Sequence, residues 1–128
     1  MSEGGLRVPL IMSGPGINKG KNHNFAFVTD IAATISDIVF DEVDERIIGK
    51  SLQNSLAGSN ENNYEDFEAV GLEVTGNSAL FKGNYKIVRN RPPNGSNQWE
   101  LYNLHEDPGE TQDSVSYTHL RAHETIAD

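Results

Sequence analysis

Four short runs rich in aromatic and β-branched residues fill the second half of the chain and constrain its fold more than any other feature. Turn-forming residues separate these runs, which cover residues 67–74, 78–81, 85–88 and 99–104. Gly83 and Asn84 fit a tight hairpin turn between the second and third runs. Pro92 and Pro93 keep residues 90–97 out of a hydrogen-bonded ladder. Because strands joined by short turns pair antiparallel, the sequence predicts a small four-stranded antiparallel sheet.

The first half opens with a glycine-hinged loop that leads into a short apolar run. Residues 8–12 form this run, and a turn of Gly14, Pro15 and Gly16 closes it. A run this short and this apolar is typical of a strand buried on both faces, as in a parallel sheet covered by helices. The sequence therefore predicts a buried strand over residues 8–12.

Apolar residues at helical intervals follow this predicted strand and indicate a helix. Thr29 or Asp30 offers an N-cap, and the spacing of the next apolar residues predicts one buried stripe, made of Ile31, Ile35, Ile38 and Val39. Leu52 and Leu56 predict one or two further helical turns, which Gly58 closes. The polar, Asn-rich residues 59–66 then form the best candidate for a domain boundary.

The charge balance excludes two classes of partner. The chain has 128 residues and a formal net charge of −9, which argues against binding a nucleic-acid backbone and against docking on an anionic membrane surface. We therefore expect neither a nucleic-acid nor a membrane partner. The chain contains no cysteine, so neither a disulfide nor a thiolate metal site is possible.

Five blocks of sequence, in the same order, resemble segments of arylsulfatase-type sulfatases, members of the alkaline-phosphatase-like superfamily. The blocks are residues 3–11 with the turn 14–17, residues 28–32, residues 49–52, residues 79–88, and residues 99–104 with 106–110. Each block alone is a weak pattern, but five in sequence over residues 2–113 make a strong resemblance. The chain is similar to the C-terminal part of such an enzyme without its front.

This resemblance implies the fold class and the domains. It implies an α/β fold, which becomes α+β in a fragment. Residues 1–58 would be the end of the sulfatase α/β catalytic domain, and residues 59–113 a small four-stranded antiparallel C-terminal sheet. Residues 114–128 depart from the family pattern and resemble translated adaptor or vector sequence, so we expect a non-native tail there.

The resemblance also implies the chemistry of the parent enzyme. Sulfatases hydrolyse sulfate esters with a formylglycine nucleophile and a calcium ion. The Cys/Ser-x-Pro/Ala-x-Arg motif that yields formylglycine does not occur here. No family nucleophile, metal ligand or active-site lysine falls on a residue of this chain. We therefore expect no catalytic residue, no bound cofactor and no bound calcium. The partners would be the missing N-terminal part of the same enzyme and a sulfated small molecule or glycan, in the periplasm or outside the cell.

Four residues near the start are the candidate active-site neighbours. By resemblance, Glu3, Gly4, Gly5 and Arg7 flank the pocket of the whole enzyme. Arg7 would hold the active-site loop or an anionic group, but a structural salt bridge is the commoner role for such an arginine. For Glu3, capping of loop amides is the preferred interpretation.

Several other polar or aromatic residues carry two interpretations each. Cations near the predicted hairpin could line a rim for an anionic substrate, although a solvated sheet face explains them more simply; they are Lys82, Lys86, Arg89 and Arg91. Trp99 and Tyr102 are expected in the core rather than stacked on a sugar. The acidic residues 41–46 favour a solvated loop over a cation site. His119 and His123 have metal-ligand spacing but lack a third ligand.

Two other functions stay open at this point. The first is an independent acidic module that binds carbohydrate or another partner. The second is a fragment of a related phosphoesterase or phosphonate hydrolase. Residues 99–104 and residues 107–110 favour the sulfatase, because both blocks resemble sulfatase C-terminal segments.

Overall fold

A computed structural model describes residues 1–115, which divide between two compact units. Of the described residues, the sheet unit comprises 1–9 and 66–115, and the helical unit comprises 10–65. The predicted domain assignment, with its boundary after residue 58, stays a prediction. The tail predicted at residues 114–128, with His119 and His123, lies almost wholly outside the described residues.

The helical unit is built on α2 (Thr29–Phe40), and α3 (Gln53–Leu56) is a single turn. The residue before the first turn of α2 is Val28, without a side-chain cap, so the cap predicted at Thr29 or Asp30 is wrong. None of the described helices is long and apolar enough to cross a membrane.

The buried face of α2 is not the predicted one. Asp30, Ala33 and Thr34 are its buried residues, whereas the predicted stripe is largely in water, with exposed fractions of 54% for Ile35, 53% for Ile38 and 62% for Val39. The apolar spacing identified an amphipathic helix correctly. It gave the wrong inner face because hydrogen bonds to the segment before α3 satisfy the polar groups of the opposite face.

Asp30 makes most of these hydrogen bonds. Its Oδ1 accepts from the backbone N–H of Lys50 at 2.9 Å and from the hydroxyl of Tyr64, and its Oδ2 accepts from the N–H of Phe27 at 2.7 Å. A carboxylate that accepts several hydrogen bonds can be buried at much lower cost than an isolated one. Asp30 therefore ties the start of α2 to residue 50.

Thr34 and Gly49 complete the contact between α2 and the next segment. The Thr34 hydroxyl donates to the carbonyl of Asp30 at 2.6 Å and accepts from the N–H of Leu52 at 2.9 Å. A Cβ atom at Gly49 would stand 2.1 Å from the carbonyl oxygen of Thr29. Only glycine permits this approach of two backbones.

Residues 8–12 do not form the predicted strand. They have no regular secondary structure, and exposed fractions of 70% at Val8 and 90% at Ile11 show that the run is not buried. A central strand needs hydrogen-bonded neighbours on both sides. Within the described chain the only sheet is the C-terminal one, and it does not include these residues.

The sheet unit confirms the predicted antiparallel sheet. Its order is β1-β2-β3-β4, and every pair is antiparallel. The strands are β1 (Ala69–Val74), β2 (Asn77–Lys82), β3 (Tyr85–Arg89) and β4 (Trp99–Asn103). Gly83, with a φ of +54°, lies in the predicted hairpin turn between β2 and β3. The chain thus has the α+β arrangement expected for this stretch.

One face of the sheet carries the core of this unit. Its buried apolar residues are Ala79, Phe81, Val88 and Tyr102, with Met1, Leu6 and Leu104 packed against them. Met1 and Leu6 belong to the N-terminal segment, which contains the four-residue helix α1 (Glu3–Leu6). The N-terminal segment therefore packs on the core face of the sheet.

Candidate functional site

Lys86 is the most unusual side chain of the sheet unit, because it is a fully buried cation. Its Nζ donates to Glu110 Oε1 at 2.5 Å, to the Met1 carbonyl at 2.8 Å and to Glu3 Oε1 at 3.1 Å. These three acceptors use all three protons of an ammonium group. The Nζ also lies 5.4 Å from the ring centroid of Phe81.

The carboxylates of Glu3 and Glu110 complete this lysine cluster, defined as Lys86, Glu3 and Glu110. The backbone N–H of Glu3 donates to Glu110 Oε2 at 2.8 Å, so Glu110 joins both the sheet and α1. The side chains of Glu3 and Glu110 are only 13% and 9% exposed. The cluster thus fixes α1 to β3, at the second residue of that strand.

A tight turn presents Glu110 to this cluster. Asp107 accepts hydrogen bonds from the N–H groups of Thr111 and Gln112 at 2.8 and 2.9 Å, and these bonds lower the pKa of Asp107. Glu110 itself has a φ of 54°, in the left-handed region. The Asp-Pro-Gly-Glu block therefore works as a turn that aims one carboxylate inward.

The surroundings of the cluster are acidic. Burial raises the pKa of Tyr102 to about 12, and the negative charges of Glu100 and Asp113 add to this rise. Glu100, Tyr102 and Glu110 line a neighbouring cavity of about 160 Å³. Ligand sites usually measure roughly 300–1,000 Å³. This cavity is too small for a sugar, and the cluster is an internal anchor rather than a binding pocket.

The predicted active-site neighbours occupy different environments. Glu3 lies in the lysine cluster, whereas Gly4, Gly5 and Arg7 are exposed. Within residues 1–115 the guanidinium of Arg7 makes no ion pair or hydrogen bond. The structure therefore does not gather these four residues around one point, and their place beside a pocket stays a prediction.

Two sequence-based interpretations of side chains are wrong. Lys86 does not lie on a solvated face, because it alternates in phase with the buried Val88. Trp99 is not in the core, since it is 45% exposed and lies 4.9 Å from the guanidinium of Arg89. Tyr102 is buried as predicted.

Among the described residues, no group of three or more His, Asp or Glu side chains is placed to hold a metal ion. In the acidic run, the carboxylate of Asp44 pairs with Arg46 at 2.5 Å, and this exposed contact lowers the pKa of Asp44. The described residues do not fit a calcium site.

Comparison with known proteins identifies the class of protein. The model of the N-sulphoglucosamine sulphohydrolase C-terminal family matches residues 1–126. The chain belongs to this family of sulfatase C-terminal domains. The match includes most of the tail predicted to be non-native, and the origin of that tail stays a prediction.

Individual relatives agree with the family. An uncharacterized sulfatase of Schizosaccharomyces pombe is 31% identical over 133 residues, which cover 88% of this chain and 22% of that protein. A protein of Bacteroides thetaiotaomicron assigned as a sulfatase has a similar structure, with a TM-score of 0.59 and 22% identity over 90% of this chain and 27% of its own.

A third similar structure contains a bound sugar. It is a protein in complex with its substrate D-glucosamine-2-N,6-O-disulfate, with a TM-score of 0.50 and 18% identity over 73% of this chain and 21% of that one. At these identities the solved structures show the fold alone. The chain spans about a fifth of the length of the curated relative, 22%.

The structure brings the five resembling blocks into contact in two separate groups, one within each unit. Glu3, Lys86 and Glu110 come from the first, fourth and fifth blocks and meet in the lysine cluster. Asp30 of the second block accepts the N–H of Lys50 in the third. Sequence reasoning missed both contacts. The phase of Lys86 with Val88 along β3 was the available signal for the first one.

Proposed function

We propose that the chain is the C-terminal part of an enzyme that hydrolyses sulfate esters, and that it is inactive by itself. The observation that carries this proposal is the family match over residues 1–126. The blocks that resemble sulfatases also contact one another: the lysine cluster joins three of them, and the hydrogen bond from Lys50 to Asp30 joins the other two. The same match favours a sulfatase over a phosphoesterase.

The lysine cluster defines the contribution of this part to the whole enzyme. It holds α1, with Glu3, Gly4 and Gly5, on the sheet, while Arg7 follows at the end of the turn. We propose that this turn flanks the catalytic pocket of the whole enzyme. Formylglycine and calcium would be supplied by the preceding part of that enzyme, and they would provide the nucleophile and the charge neutralisation for sulfate cleavage.

A sulfated sugar is the proposed substrate class. The support is the similar structure solved with a glucosamine disulfate. Its 18% identity carries the fold but not the substrate, so the sugar remains a proposal to be tested on the whole enzyme.

Two assays test the proposed function. The chain alone, with calcium, should not hydrolyse 4-nitrophenyl sulfate above the rate of a buffer blank. The second assay replaces the matching segment of the S. pombe relative by this chain and compares this chimaera with the unmodified relative. The chimaera should hydrolyse the sulfate ester faster than 4-nitrophenyl phosphate. Turnover by the isolated chain, or a folded chimaera that prefers the phosphate ester, would contradict the proposal.

A further inference from the structure

One end of the sheet carries an open hollow that the lysine cluster does not touch. The turn between β1 and β2 and the loop between β3 and β4 form its wall, and its volume is about 490 Å³. Its lining residues are Thr75, Asn77, Arg91, Pro92 and Asn94. This volume lies within the range of roughly 300–1,000 Å³ for small-molecule sites. Because the hollow is open to water, it would suit a polar ligand.

Hydrogen bonds hold the backbone around Arg91. The N–H of Arg91 donates to Asn77 Oδ1 at 2.8 Å, and Asn77 Nδ2 donates to the Val74 carbonyl at 3.2 Å. The side chain of Asn77 therefore joins the turn before β2 to the loop after β3. This contact fixes the position of the Arg91 backbone, and with it the base of the Arg91 side chain.

Gly76 leaves room for the guanidinium. A Cβ atom at this position would lie 2.7 Å from Arg91 Nη1, and Gly76 has a φ of +80° that side chains rarely adopt. The long side chain of Arg91 therefore lies along the turn. Its placement depends on a residue that lacks a side chain.

The charge of Arg91 is not neutralised within the described chain. Among residues 1–115 its guanidinium makes no ion pair and no hydrogen bond, although the chain has 19 acidic residues. Arginine stays ionised at all ordinary pH values. A planar guanidinium gives two parallel hydrogen bonds to an oxyanion, which makes it the preferred partner of tetrahedral anions.

We propose that this hollow binds the sulfate group of a sulfated saccharide, with Arg91 donating to two sulfate oxygens. The side-chain amide of Asn94, which has no partner among the described residues, would bond a neighbouring sugar hydroxyl. The oxyanion site rests on the geometry of the hollow, and the saccharide rests on the proposed function. The hollow thus deepens that function by adding a substrate contact on the C-terminal sheet.

Titration of the whole chain followed by NMR tests the site without any catalytic turnover. The probe is glucosamine 6-sulfate, and unsulfated glucosamine and inorganic sulfate are compared with it. We expect saturable shifts of the amide signals of Thr75, Asn77 and Asn94 with glucosamine 6-sulfate, and an affinity at least tenfold weaker for glucosamine. Shifts confined to other residues, or equal affinities for the two sugars, would overturn the proposal.

Substitution of the arginine completes the test. Arg91→Gln retains the backbone N–H that bonds Asn77, so the fold should survive, and binding should weaken at least tenfold. Lys82→Gln removes the same charge from an exposed position on β2 and should leave the affinity unchanged. Equal losses of affinity in the two variants would show nonspecific electrostatic attraction and would refute the proposed site.

Inorganic sulfate separates the two proposals. If sulfate and the sulfated sugar both bind through Arg91 but the chimaera lacks sulfatase activity, the oxyanion site is retained and the proposed function is refuted. If the chimaera has sulfatase activity but neither ligand binds at Arg91, the proposed function is supported and the oxyanion site is refuted.

Discussion

The ammonium of Lys86 lies 2.5 Å from a carboxylate oxygen of Glu110, a residue 24 positions further along the chain. Glu3 approaches the same ammonium from the other side at 3.1 Å. One buried cation therefore faces two largely buried carboxylates. Two like charges can be held so close together only while the cation remains between them.

Replacing this cation should strongly destabilise the sheet unit. Lys86→Met fills similar space but leaves Glu3 and Glu110 facing each other without a counter-charge. Breaking a buried ion pair in this way costs about 3–5 kcal/mol of unfolding free energy. Urea denaturation measures the loss, and Lys82→Met on the exposed side of β2 is the matched control, with an expected change under about 0.5 kcal/mol.

The combined variant Lys86→Met, Glu3→Gln, Glu110→Gln separates charge from packing. Because no carboxylate then remains unpaired, it should be more stable than Lys86→Met alone. A Lys86→Met single variant as stable as the control would show that the cluster contributes little.

The approach of two backbones at Gly49 leads to a second prediction. In Gly49→Ala the added methyl group would lie 2.1 Å from the carbonyl oxygen of Thr29 if no atom moved. Because this distance is a clash, α2 or the following segment must shift. Forcing extra volume into such a site costs about 1–3 kcal/mol. Thermal unfolding of Gly49→Ala should show this loss.

Gly20→Ala is the control for this substitution. A Cβ atom at Gly20 would have no heavy atom within 4 Å, so the variant should unfold at the same temperature as the unmodified chain or slightly above it. Equal unfolding temperatures for the two variants would refute the steric argument.

The buried carboxylate of Asp30 provides a third prediction. Asp30→Asn replaces one of two acceptor oxygens with an NH₂ group, which then faces a donor. An unsatisfied buried donor costs about 1–3 kcal/mol, and chemical denaturation should report a loss of that size. Asp41→Asn, after the last turn of the same helix, should be neutral or stabilising, because Asn tolerates the left-handed φ of 56° found there.

The pH dependence of stability at high pH provides a fourth prediction. Burial raises the pKa of Tyr102 from 10.0 to about 12. The unfolded chain therefore releases this proton at lower pH than the folded chain does, and the unfolding free energy should fall as the pH rises from 10 towards 12. The decline should be shallower in Tyr102→Phe, as followed by urea denaturation at a series of pH values. An unchanged slope in that variant would assign the pH dependence to other groups.

Local signals predicted the sheet well because turn chemistry and strand composition act over a few residues. Gly83 and Asn84 determine the β2–β3 turn almost alone. The inner face of an element depends instead on what covers it. Ile35 and Ile38 define an apolar side of α2, but the hydrogen bonds of Asp30 and Thr34 decide which side this unit buries.

The lysine cluster was beyond a local interpretation for a related reason. Alternation along β3 places Lys86 on the same side as Val88. Burial of its charge is possible only because the carboxylates of Glu3 and Glu110 offset the cost of removing the ammonium from water. Those partners are 83 and 24 residues away in sequence. A pattern that spans a few residues carries no information about them.

These separations also affect the order of events during synthesis. Glu3 leaves the ribosome before both of its partners, because Lys86 follows 83 residues later and Glu110 a further 24 residues after that. At about 5–20 residues per second, Glu3 therefore waits for several seconds or longer before its counter-charge, Lys86, has been made. The turn that carries Glu3 is thus made before the strand to which it binds, and it must be among the last parts of the sheet unit to fold.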